Sequence, residues 1–532
     1  MRRISLLDCT LRDGGYINEW RFGKKAIQQI VSKLAKTGIE MIEIGFMKGD
    51  VYDPDCSIFP DIEAFKEVLL EKNDNILYLG MLDMSNPISL DKITDYDGES
   101  IDGIRVIFKQ DKIDEAFNMC RFIKEKGYKL FVNFVNTDCY TDKEFIEAIE
   151  KYNEIAPAGM TIVDTFGTLN RKDFLRLVAI ADNNMEDDIM LCYHAHNNLQ
   201  QAFGNAEALV EMNLSRNIGI DACVFGMGRG AGNLNIELFA DYMNQNYGTS
   251  YRITPMLEIM DEYLSDFYKT QFWGYSLPLY LSAVHGCHPN YAIYLAEKNK
   301  LTEKAFNELL RDISPKDKLI FNREKAENYY RKFMENYVDD SEAINRLSAM
   351  VQDKKVILLA PGKNLRIYHE KISDQIDDNT IIFSINFYSD TYKSSYVFTG
   401  NIRRFEKLIG EANANIIATS NIPDCYLAQY VVNFSSYTGN HNEIFDDSGL
   451  MALRLLISIG VKEVYIAGMD GYDETGKNYY EDGFASYYSE STTGKTQMVL
   501  NELVDMKKYL NMHFITPTLY RFYEEMEYKE SE

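Results

Sequence analysis

Apolar, β-branched-rich runs recur along the first 245 residues of this chain with the spacing of a repeated strand and helix. They begin near Ile4 (ISLLDCT), Met41 (MIEIGF), Ile76 (ILYLGML), Gly103 (GIRVIF), Leu130 (LFVNFVN), Met160 (MTIVDT), Asp188 (DIMLCYHAH) and Ala222 (ACVFGMG), so successive starts lie 27–37 residues apart. Each interval holds one strand, one helix and two loops. The stretches between carry a helical apolar period, as at Ala26, Ile27, Ile30, Val31 and Leu34, or at Phe145, Ile146, Ala148 and Ile149. Eight near-continuous apolar strands alternating with amphipathic helices predict an α/β fold, a (β/α)8 TIM barrel whose chemistry gathers at the carboxyl ends of its strands.

A second α/β pattern opens at Lys354, after a helical and aromatic-rich stretch. The runs VILLAPGKNL, IIFSINF, SYVFTGN, NIIATSN, EVYIAGMD and HFITPT alternate with helical segments, and the first ends in a Gly-containing turn. The expected organisation is a barrel over 1–245, a helical extension over 246–350 that completes the barrel's active site, and a doubly wound Rossmann-like domain over 351–525.

Composition narrows the classes of function. An apolar content of 46% fills large cores, and no apolar run reaches the ~18 residues that span a bilayer. Met1-Arg2-Arg3 is too short a lead for a secretory signal. Eight cysteines without a Cys-x-x-Cys pair read as buried thiols of a reducing cytoplasm. A net charge of −25 argues against nucleic acid or an anionic membrane as partner.

Only seven histidines occur, and two of them form the pair His194-Ala195-His196 at the end of the seventh run. Residues i and i+2 of a strand point the same way, so two imidazoles can share one ion. Asp13, just past the first strand, is the natural third ligand of a two-His, one-carboxylate set with positions left open for substrate. Mixed oxygen and nitrogen donors suit a divalent metal, Mn²⁺ first, with Mg²⁺ or Zn²⁺ admitted by the same donors. The alternative is a scatter of structural His and Asp, and for the neighbouring Arg12 a structural ion pair to Asp13 or Glu43.

Four ordered motifs carry a resemblance: Leu7 to Gly14 (LDCTLRDG), Gly38 to Phe46 (GIEMIEIGF), His194 to Asn198 (HAHNN) and Gly226 to Asn233 (GMGRGAGN). Together they resemble the DRE-TIM metallolyases, a superfamily that includes hydroxymethylglutaryl-CoA lyases, isopropylmalate and homocitrate synthases and 4-hydroxy-2-oxovalerate aldolases. The resemblance implies a metal-dependent lyase or aldolase that acts on a 2-oxo acid through a pyruvate-type enolate, with an aldehyde as second reactant. It implies Asp13, His194 and His196 as metal ligands, Asn233 as a further ligand or near neighbour, Arg12 as the cation facing the enolate oxygen, and Glu43 as a group orienting Arg12. Tyr16 stands where the aldolase branch has its basic His. Tyr275, in the segment Phe272 to Leu281, resembles the aldolase Tyr that reaches the active site. His285 and His288 match the place of a catalytic His in the acyl-CoA condensing synthases, or replace the missing aldolase base; a helix cap or a core role is the other reading of each.

The second half carries its own resemblance. Asp447 to Leu453 (DSGLMAL) and Ile459 to Asp470 (IGVKEVYIAGMD) resemble bacterial CMP-sialic-acid-dependent sialyltransferases and the archaeal hydroxymethylpterin diphosphokinase-like group. The resemblance implies a nucleotide or nucleotide sugar held by the turn containing Gly362, by Ser448 and Gly449 at a helix start, and by Asp470. The sialyltransferases also carry a His after this Gly-x-Asp segment, and none occurs here between Asp470 and His513. The expected partners are thus small molecules and further copies of the chain in a homo-oligomer.

Overall fold

All eight expected barrel strands form. In the computed structural model they are β1 (Ile4–Asp8), β2 (Met41–Met47), β3 (Leu77–Asp83), β4 (Gly103–Phe108), β5 (Lys129–Phe134), β6 (Gly159–Asp164), β7 (Met190–Ala195) and β8 (Ile218–Ala222). They run parallel in chain order, and β1 pairs with both β2 and β8, which closes the sheet on itself. Their residues are buried almost without exception, inside by neighbouring strands and outside by helices. The helix Lys24–Leu34 shows the rule, burying Ile27, Ile30, Val31 and Leu34, the stripe its period announces. The structure describes residues 3–410, 415–472, 479 and 493–520.

The eighth strand departs from its expected position. It starts at Ile218, and the run ACVFGMG is mostly the loop that follows it. The physical reason is Asp221, a fully enclosed carboxylate in the middle of the strand that breaks the apolar pattern and pairs with Arg105 of β4.

The chain divides into two compact units, Met1–Asn290 and Tyr291–Glu532. The stretch expected as one helical extension is divided by that boundary. The helices Thr254–Ile259, Ser265–Thr270 and Leu277–Val284 belong to the first unit, and Glu303–Asp312, Arg323–Met334 and Ser341–Val351 to the second.

The second unit is built on an open, all-parallel sheet of β9 (Lys355–Leu359), β10 (Thr380–Ile385), β11 (Tyr396–Thr399), β12 (Ile416–Thr419), β13 (Tyr430–Val432), β14 (Glu463–Ala467) and β15 (Asn511–Phe514). Its order is β13-β12-β11-β10-β9-β14-β15, so the direction of winding reverses between β9 and β14. Six of these strands match the expected runs. The seventh, β13, is three residues long, only partly buried and at the sheet edge, too short to print a pattern. No helix among the described residues is long and apolar enough to cross a membrane.

Candidate metal centre

Asp13, His194 and His196 come together at the carboxyl ends of β1 and β7. Asp13 Oδ2 lies 3.2 Å from His196 Nε2, and Asp13 Oδ1 lies 3.9 Å from His194 Nε2. One donor atom from each residue falls within 4.8 Å of the other two; Asp13 and His194 are buried and His196 nearly so. The backs of the imidazoles are held. His194 Nδ1 sits 3.1 Å from the Asp221 carboxylate, and His196 Nδ1 sits 3.1 Å from the main-chain carbonyl of Asp164. The carbonyl fixes the ring hydrogen of His196 on Nδ1 and turns its Nε2 toward Asp13, the arrangement that orients metal-bound histidines, while the Asp221 carboxylate stands behind the His194 ring.

The residues therefore fit a cation. Burial keeps His194 below its ordinary pKa, so the ring is neutral. Burial alone would raise the Asp13 carboxyl, but Arg12 and then the imidazoles hold it well below the usual carboxylate range. Asn233 donates through Nδ2 to Asp13 Oδ2 at 2.6 Å and to the carbonyl of Met227 at 3.0 Å. Its Oδ1, like His196 Nε2, is buried with no hydrogen-bond donor among the described residues. Carboxylate, imidazole lone pairs and an amide oxygen all face one point as acceptors, and a buried cluster of acceptors alone is costly without a positive charge between them.

Arg12 makes both of the ion pairs considered for it. Nη1 contacts Asp13 Oδ1 at 2.5 Å and Nε contacts Glu43 Oε2 at 2.6 Å. Glu43 Oε1 in turn faces Arg105 Nη1 at 3.3 Å, and Arg105 Nη2 pairs with Asp221. A circuit of charge results: Asp13, Arg12, Glu43, Arg105, Asp221, His194 and back to Asp13. Every member is at most 4% exposed. Three carboxylates stand against two guanidiniums, so the circuit carries one uncompensated negative charge until a cation binds. Arg105 and Asp221 were not singled out by the motifs. Their signal is a charge placed inside a buried apolar strand, GIRVIF and IGIDA respectively.

Asp221 should tune the centre without touching the ion. Asp221→Asn is expected to weaken metal binding about 10- to 100-fold, the usual cost of losing a carboxylate behind a ligating imidazole. Titration of the variant with Co²⁺, read from its visible bands, checks this; affinity equal to the parent's would reduce Asp221 to a fold-holding role.

The other expected residues separate. Tyr16 lines the mouth, its ring against Trp20 at 4.7 Å and Phe46 at 6.2 Å, with the Arg229 guanidinium 5.0 Å over it. Partial burial and the Asp13 carboxylate push its phenol above the ordinary value, which makes it a proton-bearing group and not a base. His288 also reaches the mouth, beside Arg229 and against Phe166 at 5.3 Å. His285 caps the carboxyl end of the helix Leu277–Val284, the helix-cap reading. Tyr275 is 54% exposed, while Trp273, two residues earlier, is buried and donates from Nε1 to the carbonyl of Phe225 at 2.9 Å. The aromatic that meets the loop after β8 is thus Trp273. In that same loop Gly228 has to be glycine: a β-carbon would fall 2.1 Å from Asn233 Nδ2 and 3.2 Å from Asp13 Oδ2.

In the second unit Gly362, Ser448, Gly449 and Asp470 line one cavity of about 600 Å³, together with Arg404 and Tyr472. Ser448 and Gly449 open the helix Ser448–Ser458, whose cap Asp447 accepts from Leu450 N at 3.0 Å and from the Tyr472 hydroxyl at 2.7 Å. Gly362 is held by chain packing. Its N–H is taken up by the carbonyl of Gly468 at 2.9 Å, and a β-carbon there would lie 2.2 Å from that oxygen, so close chain packing and not ligand approach demands glycine.

Comparison with known proteins bears on the first unit. A 4-hydroxy-2-oxovalerate aldolase of Geobacillus genomosp. 3 is 24% identical over 269 residues, 49% of this chain and 77% of its own. An oxaloacetate decarboxylase of Mycobacterium tuberculosis is 24% identical over 239 residues, 44% of this chain and 68% of its own. A 2-isopropylmalate synthase of Sulfurisphaera tokodaii is 28% identical over 249 residues, 44% of this chain and 61% of its own. Residues 106–261 match the HMGL-like family model, a span that takes in His194, His196 and Asn233, while Arg12, Asp13 and Glu43 precede it. Within the barrel, residues 106–261 are thus similar to the HMGL-like family.

Proposed function

We propose that the first unit is a divalent-metal-dependent carbon–carbon lyase or aldolase acting on a 2-oxo acid through a pyruvate-type enolate, in the manner of a 4-hydroxy-2-oxovalerate aldolase. The observation that carries the reading is the buried set of acceptors at Asp13, His194 and His196, with an acceptor behind each ring and a fixed guanidinium beside the set. Asp13, His194 and His196, with Asn233 Oδ1 beside them, would hold a divalent ion, which would supply Lewis-acid stabilisation to a 2-oxo acid. Arg12 is held through Nε and Nη1, and its Nη2 has no partner among the described residues. That leaves one rigid donor for the oxygen on which charge develops, where a preorganised donor counts most. Glu43 and Arg105 keep Arg12 from turning away. Tyr16, neutral at the mouth, offers a proton.

Protein loaded with Mn²⁺ should exchange the methyl protons of pyruvate for deuterium, as read by NMR, and a chelator should stop the exchange. No bound divalent ion and no exchange after loading would overturn the reading. Release of free thiol from acetyl-CoA would instead mark a condensing synthase. Arg12→Lys should keep its metal and lose about two to three decades in exchange rate, because an ammonium cannot both bridge Glu43 and Asp13 and present a further fixed donor. A near-normal rate in that variant would leave Arg12 a structural ion pair.

For the second unit we propose binding of a nucleotide or nucleotide sugar at the cavity beside the strand-order reversal, the usual ligand position in open parallel sheets. The N–H groups of Ser448 and Gly449 have no partner among the described residues and stand at the start of an 11-residue helix on the cavity wall, a setting suited to phosphate. CMP is the first ligand to titrate by calorimetry against the intact chain. Ser448→Glu should weaken it tenfold or more while leaving the helix sound, since a carboxylate favours a helix start yet repels phosphate. Failure of common nucleotides and nucleotide sugars to bind at millimolar concentration would make the unit an assembly or structural module.

A further inference from the structure

Only two tryptophans occur in this chain, and each meets a loop of the metal centre. Trp20 Nε1 donates to the main-chain carbonyl of Arg12 at 2.7 Å, in the loop after β1 that carries Asp13. Trp273 Nε1 donates to the carbonyl of Phe225 at 2.9 Å, in the loop after β8 that carries Asn233. The two loops join where Asn233 Nδ2 donates to Asp13 Oδ2 at 2.6 Å.

At both contacts the backbone is left-handed without glycine. Glu19 and Trp20 are consecutive residues at φ 54° and 61°, and Phe225 sits at φ 59°. Bulky residues disfavour this region, keep it only where their surroundings over-determine it, and gather there at functional sites. The Phe225 peptide is gripped from both ends, its N–H by Glu237 Oε2 at 3.0 Å and its carbonyl by Trp273. The Trp273 ring adds edge contacts to Phe225 at 5.5 Å and to Tyr268 at 4.8 Å. Trp20 is gripped likewise: its N–H goes to Gly15 O at 2.7 Å, and its carbonyl accepts from Ser57 N at 3.0 Å.

Two glycines measure how close the indoles come. A β-carbon at Gly15 would lie 2.1 Å from Trp20 Cδ1. At Gly232, where φ is +79°, it would lie 3.2 Å from Trp273 Cδ1 and 2.1 Å from the carbonyl oxygen of Gly226. That oxygen accepts the N–H of Asn233 at 2.9 Å, and Gly232 O accepts the N–H of Asn197, the neighbour of His196, at 2.8 Å. Contacts from Trp273 thus run through Phe225 and Gly226 to Asn233, and through Gly232 to the end of the His pair. We infer that Trp20 and Trp273 are positioning residues of the metal centre, whose indole N–H groups fix the two loops so that Asp13 and Asn233 converge on one point. The inference rests on the proposed metal reading of the barrel and adds what aims its donors.

The test titrates Co²⁺ into the full chain and reads both affinity and visible bands. Trp20→Phe and Trp273→Phe keep an aromatic ring and delete the N–H. Each should weaken Co²⁺ binding about five- to tenfold and shift the bands, because the donor set changes shape. Asn is among the side chains that accept left-handed backbone, so in a Phe225→Asn background Trp273→Phe should cost less than about twofold. Where a Phe variant fails to fold, expression with benzothienylalanine in place of tryptophan decides. That ring has nearly the same shape, carries sulfur where indole has N–H, and should weaken Co²⁺ in the same direction. Variants or an isostere that bind Co²⁺ as tightly as the wild type, with unmoved bands, overturn the inference and leave the tryptophans as packing. An undiminished effect of Trp273→Phe in the Phe225→Asn background overturns it as well. A wild-type chain that binds no Co²⁺ ends the metal reading beneath, so the two failures stay distinguishable.

Discussion

His194→Ala/His196→Ala will bind no divalent metal at micromolar concentration and show no metal-dependent exchange, while the barrel stays folded. The two imidazoles supply two of the three facing donors, and Asp13 alone retains only a carboxylate already contacted by Arg12 and Asn233. Both rings lie at the end of β7, beyond the packed layers of the barrel, so their loss removes little apolar packing. Losing the ring of His194 also strips Asp221 of a neighbour but leaves its pair with Arg105. Elemental analysis and equilibrium dialysis measure the metal, and circular dichroism the fold. A double variant that retains full occupancy would remove these histidines from the centre altogether.

The largest effect on stability is expected at Arg105. Arg105→Met leaves the carboxylates of Glu43 and Asp221 enclosed without the cation they share, and breaking a buried ion pair by removing one partner costs about 3–5 kcal/mol. The sign of the pH dependence follows. With Arg105 gone, burial raises the folded-state pKa of Asp221 above its unfolded value, so the folded variant holds more protons than the unfolded chain. Its stability falls as pH rises, and its deficit against the parent should be smaller at pH 5 than at pH 8. Urea unfolding at the two pH values measures both. A deficit below 1 kcal/mol, or one that grows on acidification, would contradict the circuit described here.

Legibility in the sequence followed the range of the interaction. The strands show because a strand buried on both faces has to be apolar along its length, and the His pair shows because its geometry is set within three residues of one strand. Arg105 and Asp221 are 116 positions apart, and each reads by itself as an interruption of an apolar run. Their meeting displaced the eighth strand from its expected start. Tyr275 and Trp273 differ for a similar reason: two neighbouring aromatics offer the same apolar signal, and only the path of the chain decides which one turns inward. Gly362 was legible only as part of a turn, since the atom that requires a glycine there, the carbonyl of Gly468, lies over a hundred residues downstream.

The closed circuit has a consequence for how such a barrel diversifies. Each charge in it leans on two neighbours drawn from different strands, so any single replacement breaks two pairings at once, and the set can change only by coordinated steps. Arg229, in the loop after β8, is under no such constraint. The loop meets the centre through the backbone of Gly228 and through Asn233, while the side chain of Arg229 points away over Tyr16. Position 229 can therefore be rewritten by point mutation without disturbing the paired charges of the circuit. What the mouth presents and what holds the buried charges can change separately in this fold, one residue apart in the chain.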